Sequence, residues 1–144
     1  MRPTSIINFE RFYLGAMALG LVNSAMTWSQ TQELMNSPEV AAAGLGSGFL
    51  FTTMAIGLII PLLLWYFIAR RGSNIAKWIL VVLFGLGLLG FLASLANPLM
   101  PGGLSMVLGI AGIAIQGYAV YMLFRPDAVA WLTGAGPVDP DAFN

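Results

Sequence analysis

The chain contains no cysteine and no histidine, and only 8% of its 144 residues carry a charge. Without cysteine there is no disulfide, thiolate metal site or thiol redox chemistry. Without histidine there is no His-ligated haem and no imidazole acid–base catalyst. No two carboxylates lie close enough in sequence or span register for paired acid/base work, and no Gly-rich loop follows a strand to bind phosphate. A Ser or Thr nucleophile would find no base inside the apolar segments. These absences describe a non-enzymatic protein with no catalytic residue, cofactor ligand or metal site. A basic face for nucleic acid is missing as well.

What is abundant is apolar length. Hydrophobic residues make up 58% of the chain, and a mean hydropathy of +0.84 leaves no room for a separate soluble domain. Long apolar segments fall at 6–28, 45–69, 76–96 and 103–124, each near the ~20 residues that cross ~30 Å of hydrocarbon. Threading these segments through a bilayer puts Arg2, Arg11, Arg70, Arg71, Lys77 and Arg125 on one side, and they are all the Lys and Arg there are. Basic residues at span ends resist translocation, so both termini are expected in the cytoplasm of a bacterial inner membrane. The expected fold is an all-α membrane protein. An antiparallel four-helix transmembrane bundle occupies 1–124, and a short C-terminal interfacial helix with a loose tail occupies 125–144.

Local signals refine this frame. Thr4 or Ser5 is placed to cap the first helix, and Glu10 and Arg11 fall at headgroup depth near its start. That apolar run ends near Val22-Asn23-Ser24 like the core of a signal peptide, but its length suits an uncleaved span. The outer connection, Ser29 to about Gly44, contains Ser37-Pro38-Glu39, a helix start with a hydroxyl cap, an early Pro and an acid at the positive dipole end. Pro61 is expected to kink the second span. Residues 70–74 and 97–103 read as tight turns. After Phe124, Arg125-Pro126-Asp127 starts a short helix whose apolar side is Ala128, Val129, Trp131 and Leu132, closed by Gly134 and lying on the inner leaflet.

Two sets of intramembrane residues are candidates for function. Small residues at helical spacing let backbones approach closely where lipid removes any hydrophobic drive. They are Ala16, Gly20 and Ser24 on the first span, Gly57 on the second, Gly90 and Ser94 on the third, and Ser105, Gly109 and Gly112 on the fourth. They serve packing within one bundle or a face for another membrane protein or a second copy. The polar set is Asn23, Thr27, Thr53 and Gln116. Asn23 lies roughly 8 Å and Gln116 roughly 18 Å from the outer end, at 1.5 Å per residue. These amides make interhelical hydrogen bonds or line a small polar path. Glu10 lies too near the inner end to match the mid-span Glu of small multidrug exporters and is expected to pair with Arg11, Arg2 or the inner loop. Arg70, Arg71 and Lys77 are too few for strong lipid recognition, which takes about 4–8 basic residues, and topology alone accounts for them.

Three sequence pieces carry a resemblance: Arg2-Pro3-x-Ser5-Ile6 with Phe9-Glu10 and Tyr13-Leu14; Ala69-Arg70-Arg71-x-Ser73-Asn74-x-Ala76-Lys77-Trp78; and Arg125-Pro126-Asp127-Ala128 with Ala130-Trp131. In these the chain resembles small, largely uncharacterised four-span inner-membrane proteins of bacteria. Such proteins often have a basic residue where this chain has Val129, which weakens a lipid-binding role for the tail. The resemblance implies a plasma-membrane four-helix protein and brings no activity. The functional expectation is an accessory or structural membrane protein that docks onto a larger complex, with membrane lipid around it. The alternative is a small channel or carrier for a neutral or weakly polar solute.

Overall fold

The computed structural model describes residues 2–38, 40, 47–95 and 102–134. These residues form helices and turns, with no strand among them. The helices are α1 (Thr4–Met26), α2 (Trp28–Met35), α3 (Ser47–Arg71), α4 (Asn74–Ser94), α5 (Leu104–Met122) and α6 (Pro126–Thr133). Three of them, α3, α4 and α5, are long and apolar enough to cross a membrane. Helix α1 has 23 residues and therefore a length of about 35 Å, but Glu10, Arg11 and Asn23 make it less apolar than the other three.

Antiparallel neighbours are set by side-chain pairs. Helix α1 runs along α5, with Asn23 beside Ser105, Leu19 beside Gly112 and Phe12 against Tyr118. Helix α4 runs along α5, and here glycines permit the approach. A Cβ on Gly109 would meet the Phe91 ring at 3.4 Å, and one on Gly117 the Phe84 ring at 3.3 Å. Helix α3 meets α1 through Glu10–Arg70 and Tyr13–Pro61, and Trp28 at the start of α2 lies 6.1 Å from Phe51. Between those levels α1 and α3 stand apart.

The buried core sits at one end. Ile6, Phe9, Ile68, Ala69, Ala119, Leu123 and Ala128 are fully enclosed, and Tyr13, Leu80 and Leu132 nearly so. All come from the basic end of their helices. Toward the far end large apolar residues point outward, as with Leu89 at 64% exposure, which suits a lipid-facing surface.

Several local expectations change. Neither Thr4 nor Ser5 caps α1. Its N-cap is Pro3, which offers no side-chain acceptor, and the Asp127 carboxylate accepts the Ser5 backbone N–H at 3.0 Å instead. Trp28, read as the end of the first span, and residues 29–35, read as part of the outer connection, form α2. Thr27 ends α1, after which Gln and Glu, good helix formers, continue helically. Pro38 and Val40 at the next helix start are also helical, while Glu39 lies outside the described residues, as do Gly44, most of the 97–103 turn and the tail from 135. Helix α6 does not spend its apolar side on lipid: Ala128 and Leu132 are buried within the protein's own core.

Candidate functional site

Where α1 and α3 separate they leave a half-open cavity of about 350 Å³. Its floor is the Tyr13–Pro61 contact. Ala16, Gly20 and Ser24 form one wall, Met54 and Gly57 the other, and Gln116 of α5 reaches in from behind. The sequence explains this local shape. Proline has no N–H, so the Gly57 carbonyl loses the donor that residue 61 would supply in an unbroken helix. Small side chains on both walls leave the space unfilled. A Cβ added to Gly20 or Gly57 would meet nothing within 4 Å.

The predicted residues divide clearly around this cavity. Of the polar candidates only Gln116 lines it. Among the described residues its amide has no hydrogen-bond partner. Asn23 is used elsewhere, accepting a 2.7 Å bond from the Ser105 hydroxyl of α5. Thr27 turns its hydroxyl back onto the Asn23 carbonyl of its own helix at 3.1 Å. Thr53 is exposed and lies apart from the cavity. Of the small residues, Ala16, Gly20, Ser24 and Gly57 line the cavity, whereas Ser105, Gly109 and Gly112 face neighbouring helices. Gly90 has open space at its Cβ position, and Ser94 donates to the Phe91 carbonyl of its own helix.

Chemically the cavity offers a primary amide, a hydroxyl from Ser24 and an underused carbonyl at Gly57, in walls with no carboxylate and no cation. It can hold a neutral, hydrogen-bonding group. Among the described residues no cluster of acids could hold a metal ion.

The basic end is built differently. Glu10 pairs with Arg2, which precedes its helix, and with Arg70 of α3, the latter at 3.1 Å. Asp127 faces two electrostatic demands. Burial raises its pKa, but hydrogen bonds from the Ser5 side chain and backbone and from the Ala128 and Asp127 N–H groups outweigh that and hold the carboxyl below its ordinary value. The turn between α3 and α4 needs Gly72 at φ +63, and Trp131 of α6 packs directly on it. Lys77 is 5% exposed, its ammonium lying over the rings of Trp78 and Phe124. The three sequence pieces that carry the resemblance thus meet at one end of the molecule.

Sequence reasoning missed Tyr13 and Pro61 as a pair, Asp127 as a cap, and the burial of Lys77. For Asp127 the one available signal was Pro3, a cap position without an acceptor. For Tyr13 there was none, because nothing local tells a buried phenol from an interfacial one. No protein-family model, curated protein or solved structure matches the chain.

Proposed function

We propose that this chain is a four-span, non-enzymatic accessory protein of the bacterial inner membrane, with both termini in the cytoplasm, whose α1/α3 cleft receives a transmembrane helix of a larger complex. The observation that carries the reading is the empty space at Gly20 and Gly57. Small residues permit close approach of helices, yet among the described residues nothing lies within 4 Å of a Cβ placed at either position. Gln116 adds a polar point that lipid tails cannot satisfy. The occupant that suits both is a helix with small residues along one side and an amide or hydroxyl side chain level with Gln116.

Treating α1 as the first span is supported by how its polar residues are met. Glu10 has Arg2 and Arg70, and Asn23 has Ser105. The six-to-none distribution of basic residues supports the orientation. Cysteine labelling checks it: position 71 should react only from the cytoplasm and position 33 only from the periplasm.

The docking reading is tested by filling the cleft. Gly20→Leu and Gly57→Leu should leave the monomer folded and abolish its crosslinks to other membrane proteins in native membranes. A chain that stays a free monomer at every expression level would overturn the reading. The second reading, a carrier for a neutral solute, draws on the unpartnered Gln116 amide. Against it, the cavity ends on Tyr13 and the closed core beneath. Reconstituted vesicles decide: solute flux that Gln116→Leu abolishes would favour the carrier.

A further inference from the structure

We infer that Lys77 is the centre of a binding site for the phosphate of an anionic lipid headgroup, at the basic end of the molecule where the start of α4 meets the end of α5. The inference rests on the reading that these helices cross the membrane and is independent of what fills the α1/α3 cleft. A cation largely shielded from water by its surroundings gains most from a compensating partner, since burial of an unpaired charge is costly. Lys77 is 5% exposed, and among the described residues the acids that could serve it are engaged or distant. Glu10 is held by Arg2 and Arg70. Asp127 accepts from Ser5. Glu33 belongs to α2, at the opposite end. The last carbonyls of α5 are no better, because Val120, Tyr121 and Met122 already accept from the N–H groups of Leu123, Phe124 and Arg125.

What the ammonium does have is two rings. Its nitrogen lies 5.1 Å from the Trp78 centroid and 4.9 Å from that of Phe124, and the rings meet edge to face at 6.0 Å. Ring faces attract the cation but accept no hydrogen bond of the usual strength, so its N–H donors keep an unmet demand for oxygen. Trp78 is 52% and Phe124 44% exposed. Half-exposed aromatics at a span end belong at headgroup level, where phosphate oxygens are the abundant acceptors. Arg125, exposed and next to Phe124, supplies a second cation at the rim. Exposed cations alone would attract anionic lipid diffusely; Lys77, held between two rings, fixes a single phosphate in place.

The experiment uses the full chain purified from a mixture of phosphatidylglycerol and phosphatidylcholine, with retained lipid counted by native mass spectrometry. The wild type should keep phosphatidylglycerol in preference. Lys77→Gln should lower that retention about fivefold, the effect of one basic residue near an anionic surface. Lys77→Arg should preserve it, and Arg11→Gln, an exposed cation on α1, should leave it unchanged. No preference in the wild type, or an equal loss in Arg11→Gln, overturns the proposal. Displacement of the lipid by millimolar inorganic phosphate would assign the site to free phosphate and sink the lipid reading. If Lys77→Gln fails to fold, the wild-type, Lys77→Arg and phosphate arms still decide.

Discussion

The Tyr13 hydroxyl donates to the Pro61 carbonyl across 3.3 Å, joining α1 to α3 at the level where proline interrupts the ladder of α3. On one side of this bond is the closed core of the basic end, and on the other the cavity. Tyr13→Phe keeps the buried ring and removes the donor. Interhelical hydrogen bonds in membranes average about 0.6 kcal/mol and reach about 1.7, so the variant should lose about 0.5–1 kcal/mol in an SDS unfolding titration. A loss beyond about 2 kcal/mol would show that more than this one bond depends on the phenol.

The two amides should respond oppositely. Asn23→Leu leaves the Ser105 hydroxyl without its acceptor and should cost the isolated protein up to about 1.7 kcal/mol. Gln116→Leu breaks no bond to a described residue, so the isolated protein should be unchanged or slightly more stable. The same titration checks both, and equal losses would mean that Gln116 has an internal partner after all.

How far the sequence led can be judged from the same residues. Helices α3, α4 and α5 fall within two residues of the apolar segments at 45–69, 76–96 and 103–124, because apolar length is a property of consecutive residues. The Arg125-Pro126-Asp127 start and Gly134 close of α6 were legible for the same reason: Pro in the first turn and a left-handed C-terminal Gly act locally. What failed to show was which side of each helix meets which neighbour. Gly57 and Gly109 look alike in sequence, yet one lines an open cavity and the other lies against Phe91. In lipid an apolar face has no preferred partner, so periodicity cannot distinguish them. Ser5 and Asp127 are paired across 122 positions, a distance over which no capping motif reads.

The glycines themselves provide the third prediction. Gly72 sits at φ +63, and a Cβ there would lie 3.1 Å from the Trp131 carbonyl. Gly72→Ala should therefore destabilise by about 1–2 kcal/mol from backbone handedness alone, with more from displaced Trp131. Gly57→Ala, with open space around it, should be neutral or stabilising by up to about 1 kcal/mol through helix propensity. Thermal unfolding in one detergent compares them, and a reversed order would contradict the placement of α6 on the turn.

The final prediction concerns pH and the single carboxylate that caps α1. Asp127 also lies in the first turn of α6, so its charge faces the positive ends of two helices. Its folded-state pKa lies below the ordinary value of 3.8, with burial opposing the charge and the hydrogen bonds from Ser5 and the local N–H groups prevailing. A carboxyl held below its unfolded value contributes stability that is fully present above that value and lost as pH falls through the folded one. The tie between α6 and α1 should thus be constant from neutral pH down to about pH 5 and weaken below about pH 4. Hydrogen exchange at 4–7 and 126–133 should accelerate together as acid is added, beyond the intrinsic pH trend of free amides. Asp127→Asn removes the titrating group, so its exchange in both segments should already be faster at neutral pH and show no further step on acidification. An acid step that persists in Asp127→Asn would move the pH response to another group and leave α1 with a different cap.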